Sequence, residues 1–122
     1  MGRAMFGVDV DLREFKRALR KFPDAIDRVS DRVIDDETED VARDMRRLAP
    51  RATGELADSV QAEHKRGTAT GRAIAKARHA TFVERGTKRA KAQPFAEPAH
   101  ELSGPRLRKR LIEAINEDIR RR

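Results

Sequence analysis

The sequence contains no cysteine, no tryptophan and no tyrosine. Without cysteine there is no disulfide framework, no thiolate nucleophile and no thiolate metal site. Aromatic residues are limited to five Phe, 4% of the chain. Sequence-tolerant single-strand nucleic-acid binders need aromatic stacking platforms, which are scarce here. The core must therefore be built mainly from Ala, Val, Leu and Ile. Long apolar runs are also absent, so no transmembrane segment is predicted. The opening MGRAMFGVDVDL alternates polar and apolar residues where a signal peptide would carry a continuous apolar stretch. The expectation is a soluble protein made in the cytoplasm. At 122 residues the chain suffices for one domain, and a domain of this size hides roughly two thirds of its unfolded surface.

Charge is abundant: 40% of residues are Asp, Glu, Lys or Arg, and the formal net charge is +7. Its layout is uneven. Between Asp24 and Asp44, the acids Asp24, Asp27, Asp31, Asp35, Asp36, Glu37, Glu39, Asp40 and Asp44 face only Arg28, Arg32 and Arg43. Between His64 and Lys91, the cations Lys65, Arg66, Arg72, Lys76, Arg78, Arg85, Lys88, Arg89 and Lys91 face Glu84 alone. One strongly acidic element and one strongly basic element suit a head-to-tail contact between copies, with Asp35, Asp36, Glu39 and Asp40 on one side and Lys88, Arg89 and Lys91 on the other. The two elements can equally cover each other within one subunit, and charge alone does not decide.

Apolar spacing predicts an α+β domain: a small antiparallel sheet packed against a long helix in the N-terminal half and a C-terminal helix. A short strand is expected from Arg3 to Val10. A helix at about 11–22 follows, with Asp11 and Glu14 as a capping box and Leu12, Phe15, Leu19 and Phe22 on one face. A second helix at about 24–49 presents Ile26, Val29, Val33, Val41, Met45 and Leu48, interrupted by Glu37. Pro50 stops it, and Thr53-Gly54 makes a turn. A hairpin is predicted at about 57–78, with RGTATG as its loop. A loop at 82–98 leads to a C-terminal helix at about 99–121, where Leu107, Leu111, Ala114, Ile115 and, at its end, Ile119 form a stripe. There is no internal repeat.

The search for reactive chemistry is mostly negative. His64, His79 and His100 lack the spacing and companion carboxylates of a zinc site and read as surface or strand-end residues. Asp35 with Glu39, and Asp36 with Asp40, pair at helical spacing, but a solvated or partner-facing surface explains them better than a cation site. Gly67 and Gly71 do not form a phosphate loop, and no G-x-S-x-G elbow occurs. The chain is therefore not expected to be an enzyme or to hold a cofactor or metal. No zinc-finger or basic-zipper pattern is present. Lys88, Arg89 and Lys91 could still neutralise phosphates, so the alternative reading is a basic, non-specific double-stranded-DNA-binding protein.

Three segments carry a resemblance: APRATGEL (49–56) followed by Ser59 and Val60, then HATFVERGT (79–87), then QPFAEPA (93–99). In this order they resemble the tail-component family of long-tailed bacteriophages. The matching positions are Pro50, Thr53, Gly54, Leu56 and Ser59, then Ala80, Phe82, Glu84, Gly86 and Thr87, then Pro94, Phe95, Pro98 and Ala99. The chain departs from the family pattern at Ala96, where a larger apolar residue is usual, and at Arg85, where an aromatic or apolar residue is common. The resemblance implies a structural neck or tail-completion protein of the virion, synthesised in the bacterial host cytoplasm. It also implies a homo-oligomer, a hexameric ring at the head-proximal end of the tail, with double-stranded DNA passing through its lumen. The implied partners are a head-closure (stopper) protein and the tail terminator or tail tube protein, with no membrane. A strongly positive lumen would hold phosphates and slow DNA, so the basic loop is expected to face a partner protein. Within the loop, Gly86 is expected to take a positive φ and Glu84 to bond a backbone amide or an Arg. Phe82 and Phe95 are expected to pin the loop to the fold.

Overall fold

The alternating opening segment forms strand β1 (Phe6–Asp11), and a short helix α1 (Arg13–Ala18) follows it. The long acidic segment is helix α2 (Pro23–Leu48). Then come a single turn α3 (Glu55–Asp58), a hairpin of β2 (Val60–Lys65) and β3 (Thr70–Ala75), a short helix α4 (Ala80–Arg85) and the final helix α5 (Ala96–Arg120). This computed structural model describes residues 6–19, 21, 23–51 and 54–122. Arg3, Phe22 and Thr53, named above, lie outside the described residues.

The sheet is antiparallel with order β1-β3-β2, so β3 is central and β1 and β2 are its edges. Period-2 alternation sends Val8, Val10, Val60 and Ala73 inward and leaves Asp9, Arg72 and Glu63 in one outward row. Arg72 holds Asp9 across that row at 2.8 Å. Helix α2 covers the inward face. It comes so close that a Cβ on Gly71 would meet the Thr38 hydroxyl at 2.4 Å, which is why a glycine occupies mid-strand there. Gly71 thus belongs to the strand, not to the predicted loop. The hairpin turn is Arg66–Ala69, in which Gly67 and Ala69 take positive φ of 83° and 58°.

The stripe predicted on α2 is the core. Ile26, Val29, Val33, Val41 and Met45 are buried, with Leu48 partly so, and Pro23 sits at the first helical position, where its missing N–H costs nothing. Helix α5 runs antiparallel to α2 and brings Leu107, Leu111, Ala114 and Ile115 into the same core. Several expectations change: residues 57–58, expected in the hairpin, belong to α3, residues 82–85, expected in the loop, belong to α4, and Ile119, expected on the α5 stripe, is exposed. Helix α1 ends at Ala18 rather than near residue 22, and its capping residue is Leu12, with no side-chain cap bond. Asp11 instead accepts the Arg13 N–H at 2.8 Å and binds the Arg13 guanidinium. Helix α5 begins at Ala96, before the expected 99, because its first amides are bonded by a residue far back in the chain.

Candidate functional site

That residue is Glu84, at the heart of the second motif. It is buried on α4, and its carboxylate accepts N–H bonds from Phe95 (2.9 Å), Ala96 (2.8 Å) and Glu97 (3.1 Å). An anion at a helix N-terminus satisfies orphan amides and meets the positive end of the helix dipole. Between Glu84 and Phe95 the chain makes a braced loop. Gly86 ends α4 with φ 78°, its N–H on the Phe82 carbonyl at 2.7 Å. A Cβ there would lie 2.7 Å from the Ala92 nitrogen. The Thr87 hydroxyl accepts from the amides of Arg89 and Ala90, the Thr87 N–H bonds the Ala90 carbonyl, and the Gln93 N–H returns to Val83 at 2.9 Å. Phe95 closes the loop from inside, at 0% exposure.

Phe82 does not pin the loop as expected. It is 58% exposed, pointing away from the core that Phe95 fills. The two departures from the family pattern are also accommodated. Ala96 is fully buried, and the Arg85 guanidinium lies 5.5 Å from the Phe6 ring centroid, a cation–π contact with β1. Of the remaining motif positions, Gly54 takes φ 79° before α3, Leu56, Ala80 and Ala99 are buried, and the Ser59 hydroxyl bonds the Leu56 carbonyl at 2.7 Å. Pro50 and Pro98 are half-buried and Pro94 is exposed.

The acidic face of α2 is largely engaged within the subunit, by partners other than the basic loop. Glu37, fully buried, receives the Ser103 hydroxyl and Arg106 Nε at 2.8 Å each, with Arg110 Nη1 at 3.3 Å. Arg106 also binds Asp44 at 2.9 Å, and Arg110 binds Asp40 at 2.5 Å. Burial alone would push Asp40 up, but the Arg110 hydrogen bond and the charges of Arg110, Arg106 and Arg43 outweigh it and hold its carboxyl below the usual range. At the far end Arg28 grips Asp118 at 2.7 Å, and that hydrogen bond lowers the Asp118 pKa. Asp31 and Asp35 turn to the hairpin. Asp35 contacts His64 Nδ1, Asp31 lies 3.4 Å from Nε2, and Arg66 reaches Asp35 at 3.2 Å. His64 thus has the carboxylate neighbours its sequence context did not suggest, supplied by another element. His79 is half-buried and His100 exposed. Among the described residues no cluster of His, Asp and Glu is arranged to hold a metal ion.

Many exposed charges form no salt bridge among the described residues, Arg32, Asp58, Arg78, Arg108 and Lys109 among them, and two groups of them bear on the expected contact. Asp36 and Glu39 are exposed on α2, and Lys88, Arg89 and Lys91 are exposed on the loop; none of the five forms a salt bridge among the described residues. The motif residues that form side-chain bonds brace backbone within a small α+β fold. The chain belongs to a bacteriophage tail-component family: the family model described as "Bacteriophage HK97-gp10, putative tail-component" matches residues 13–86, more than half of its length. That span holds the first motif and all of the second except Thr87, while the third, at 93–99, lies beyond it. No curated protein and no solved structure matches the chain. Membership makes this a structural bacteriophage protein that assembles with other virion components. No helix among the described residues is long and apolar enough to cross a membrane.

Proposed function

We propose that the chain is a neck protein, completing the head-proximal end of the tail as a hexameric ring through which double-stranded DNA passes. It joins the tail terminator or tail tube to the head-closure protein and acts by geometry and charge, without catalysis. The observation that carries this reading is the family match across α1 to α4, a span whose motif residues bond backbone rather than line a reactive site. The test is to delete the gene in its phage and supply the chain in trans. Separate full heads and finished tails in the deletion, joined on complementation, are the expected result. Normal virions without the protein would reject it.

A second reading is favoured by Lys88, Arg89 and Lys91, which are exposed and lack acidic partners: non-specific binding of duplex DNA. It requires the isolated chain to bind duplex with an affinity that falls steeply with salt.

A further inference from the structure

Two of the unpaired groups, the loop cations and Glu39 with its neighbour Asp36, lie toward opposite edges of the sheet. The basic loop hangs from α4, which packs on β1, and Arg85 and Phe6 fasten that side. Glu39 lies beside β2, where Asp35, Thr38, Glu39, Ala62, Glu63 and His64 line a recess of about 190 Å³. Strand β3 stands between the two. No salt bridge joins them, so within one subunit they do not neutralise each other.

The recess holds an unmet polar group as well as acid. Thr38 is 1% exposed, yet its hydroxyl has no hydrogen-bond partner among the described residues. Asp35 is held by His64 and Arg66, and Glu63 by Lys76, which leaves the Glu39 carboxylate and the orphan Thr38 hydroxyl as acceptors for an ammonium group, a donor of up to three hydrogen bonds. Arg32, one turn before Asp36, offsets part of the outward charge, and Arg43 is already bound to Asp40.

We propose that this recess and the adjoining Asp36–Glu39 face receive the basic loop, Lys88 to Lys91, of a second copy of the chain. The contact is heterologous: each copy offers its loop from the β1 edge and its acidic recess at the β2 edge, so successive copies join in one direction and close into a ring when the rotation permits. Asp35 and Asp40 are not the free side of this contact, because Arg66 with His64 and Arg110 with Arg43 hold them internally. Exposed Phe82 stands beside the loop as its apolar element. The contact rests on the ring reading above.

The test uses two variants of the full chain, K88E/R89E/K91E and D36K/E39K, with self-association followed by native mass spectrometry and sedimentation at low and physiological salt. All five side chains are exposed, so thermal melts should stay close to wild type. Each variant alone should associate at least about tenfold more weakly than wild type. Mixed one to one, the two should recover wild-type association, because every junction of an alternating assembly pairs opposite charges. A mixture that fails to recover, a variant that associates as well as wild type, or a monomeric wild type overturns the contact. So does a loop variant that loses only duplex-DNA binding, which assigns the loop to nucleic acid. The neck reading is scored separately, by whether the chain is found in purified particles. Presence there with unaltered association in both variants sinks the contact alone, and absence with recovery in the mixture sinks the neck reading alone.

Discussion

Glu84 holds the start of α5 with one carboxylate and three amides, all close to the N-terminus of a 25-residue helix. Glu84→Gln keeps the shape but removes the charge and turns an amide NH2 toward N–H donors. It should cost about 1–3 kcal/mol, the usual range for losing hydrogen bonds to a charged group. Urea unfolding should show a lower midpoint with an unchanged slope. Arg110 offers a second residue-scale test, because it binds both Glu37 and Asp40. Arg110→Met should destabilise the protein by about 2 kcal/mol near neutral pH, within the range for a partly buried charged hydrogen bond. The folded-state pKa of Asp40 is lowered, so its stabilising effect is complete above the unfolded carboxylate value, about 3.9. It is lost as the pH falls through the folded value. The gap between wild type and variant should therefore narrow in acid, and a gap that stays constant down to about pH 2 would show that Arg110 acts by packing alone.

Among the elements, α2 and the hairpin were legible in the sequence because their signals are local: a 3.6-residue apolar stripe with Pro at each end, and two alternating runs around a Gly-rich turn. Less legible were features whose cause lies elsewhere in the chain. Glu37 read as an interruption because its partners, Ser103 and Arg106, are 66 and 69 positions away. The start of α5 read three residues late because its cap comes from Glu84, which no local capping rule finds. Phe82 read as an anchor because it sits beside Glu84 and Gly86 in the motif, yet α4 turns it outward while Phe95 takes the core position. Helix α5 itself carries two helix-weakening residues in sequence, Gly104 and Pro105, on its exposed side. A Cβ at Gly104 would meet nothing within 4 Å. Gly104→Ala should stabilise the protein by about 0.5–1 kcal/mol through the unfolded chain and helix propensity alone. A thermal melt that fell would mean the backbone at Gly104 is held in a way the helix does not show.

For the whole molecule, the span that identifies the family is not the span that folds. Residues 13–86 omit β1, which pairs along its whole length with β3, and α5, which supplies Leu107, Leu111, Ala114 and Ile115 to the core. Without α5 the carboxylates of Glu37, Asp40 and Asp44 would lose Arg106 and Arg110, leaving Glu37 with no cationic partner among the described residues. Without β1 the central strand becomes an open edge beside a depleted core. A fragment of residues 13–86 should therefore lack a cooperative thermal transition and show collapsed amide dispersion by NMR, while the full chain melts in a single step. Adding a peptide of residues 94–122 to the fragment tests the charge argument specifically. Because α5 binds α2 through Arg106 and Arg110 as well as through apolar side chains, any helix regained should weaken with added salt and vanish when both arginines are replaced by Met. Regain that ignores both changes would assign the docking of α5 to its apolar stripe alone, and would leave the buried Glu37 network as a device for register rather than for affinity.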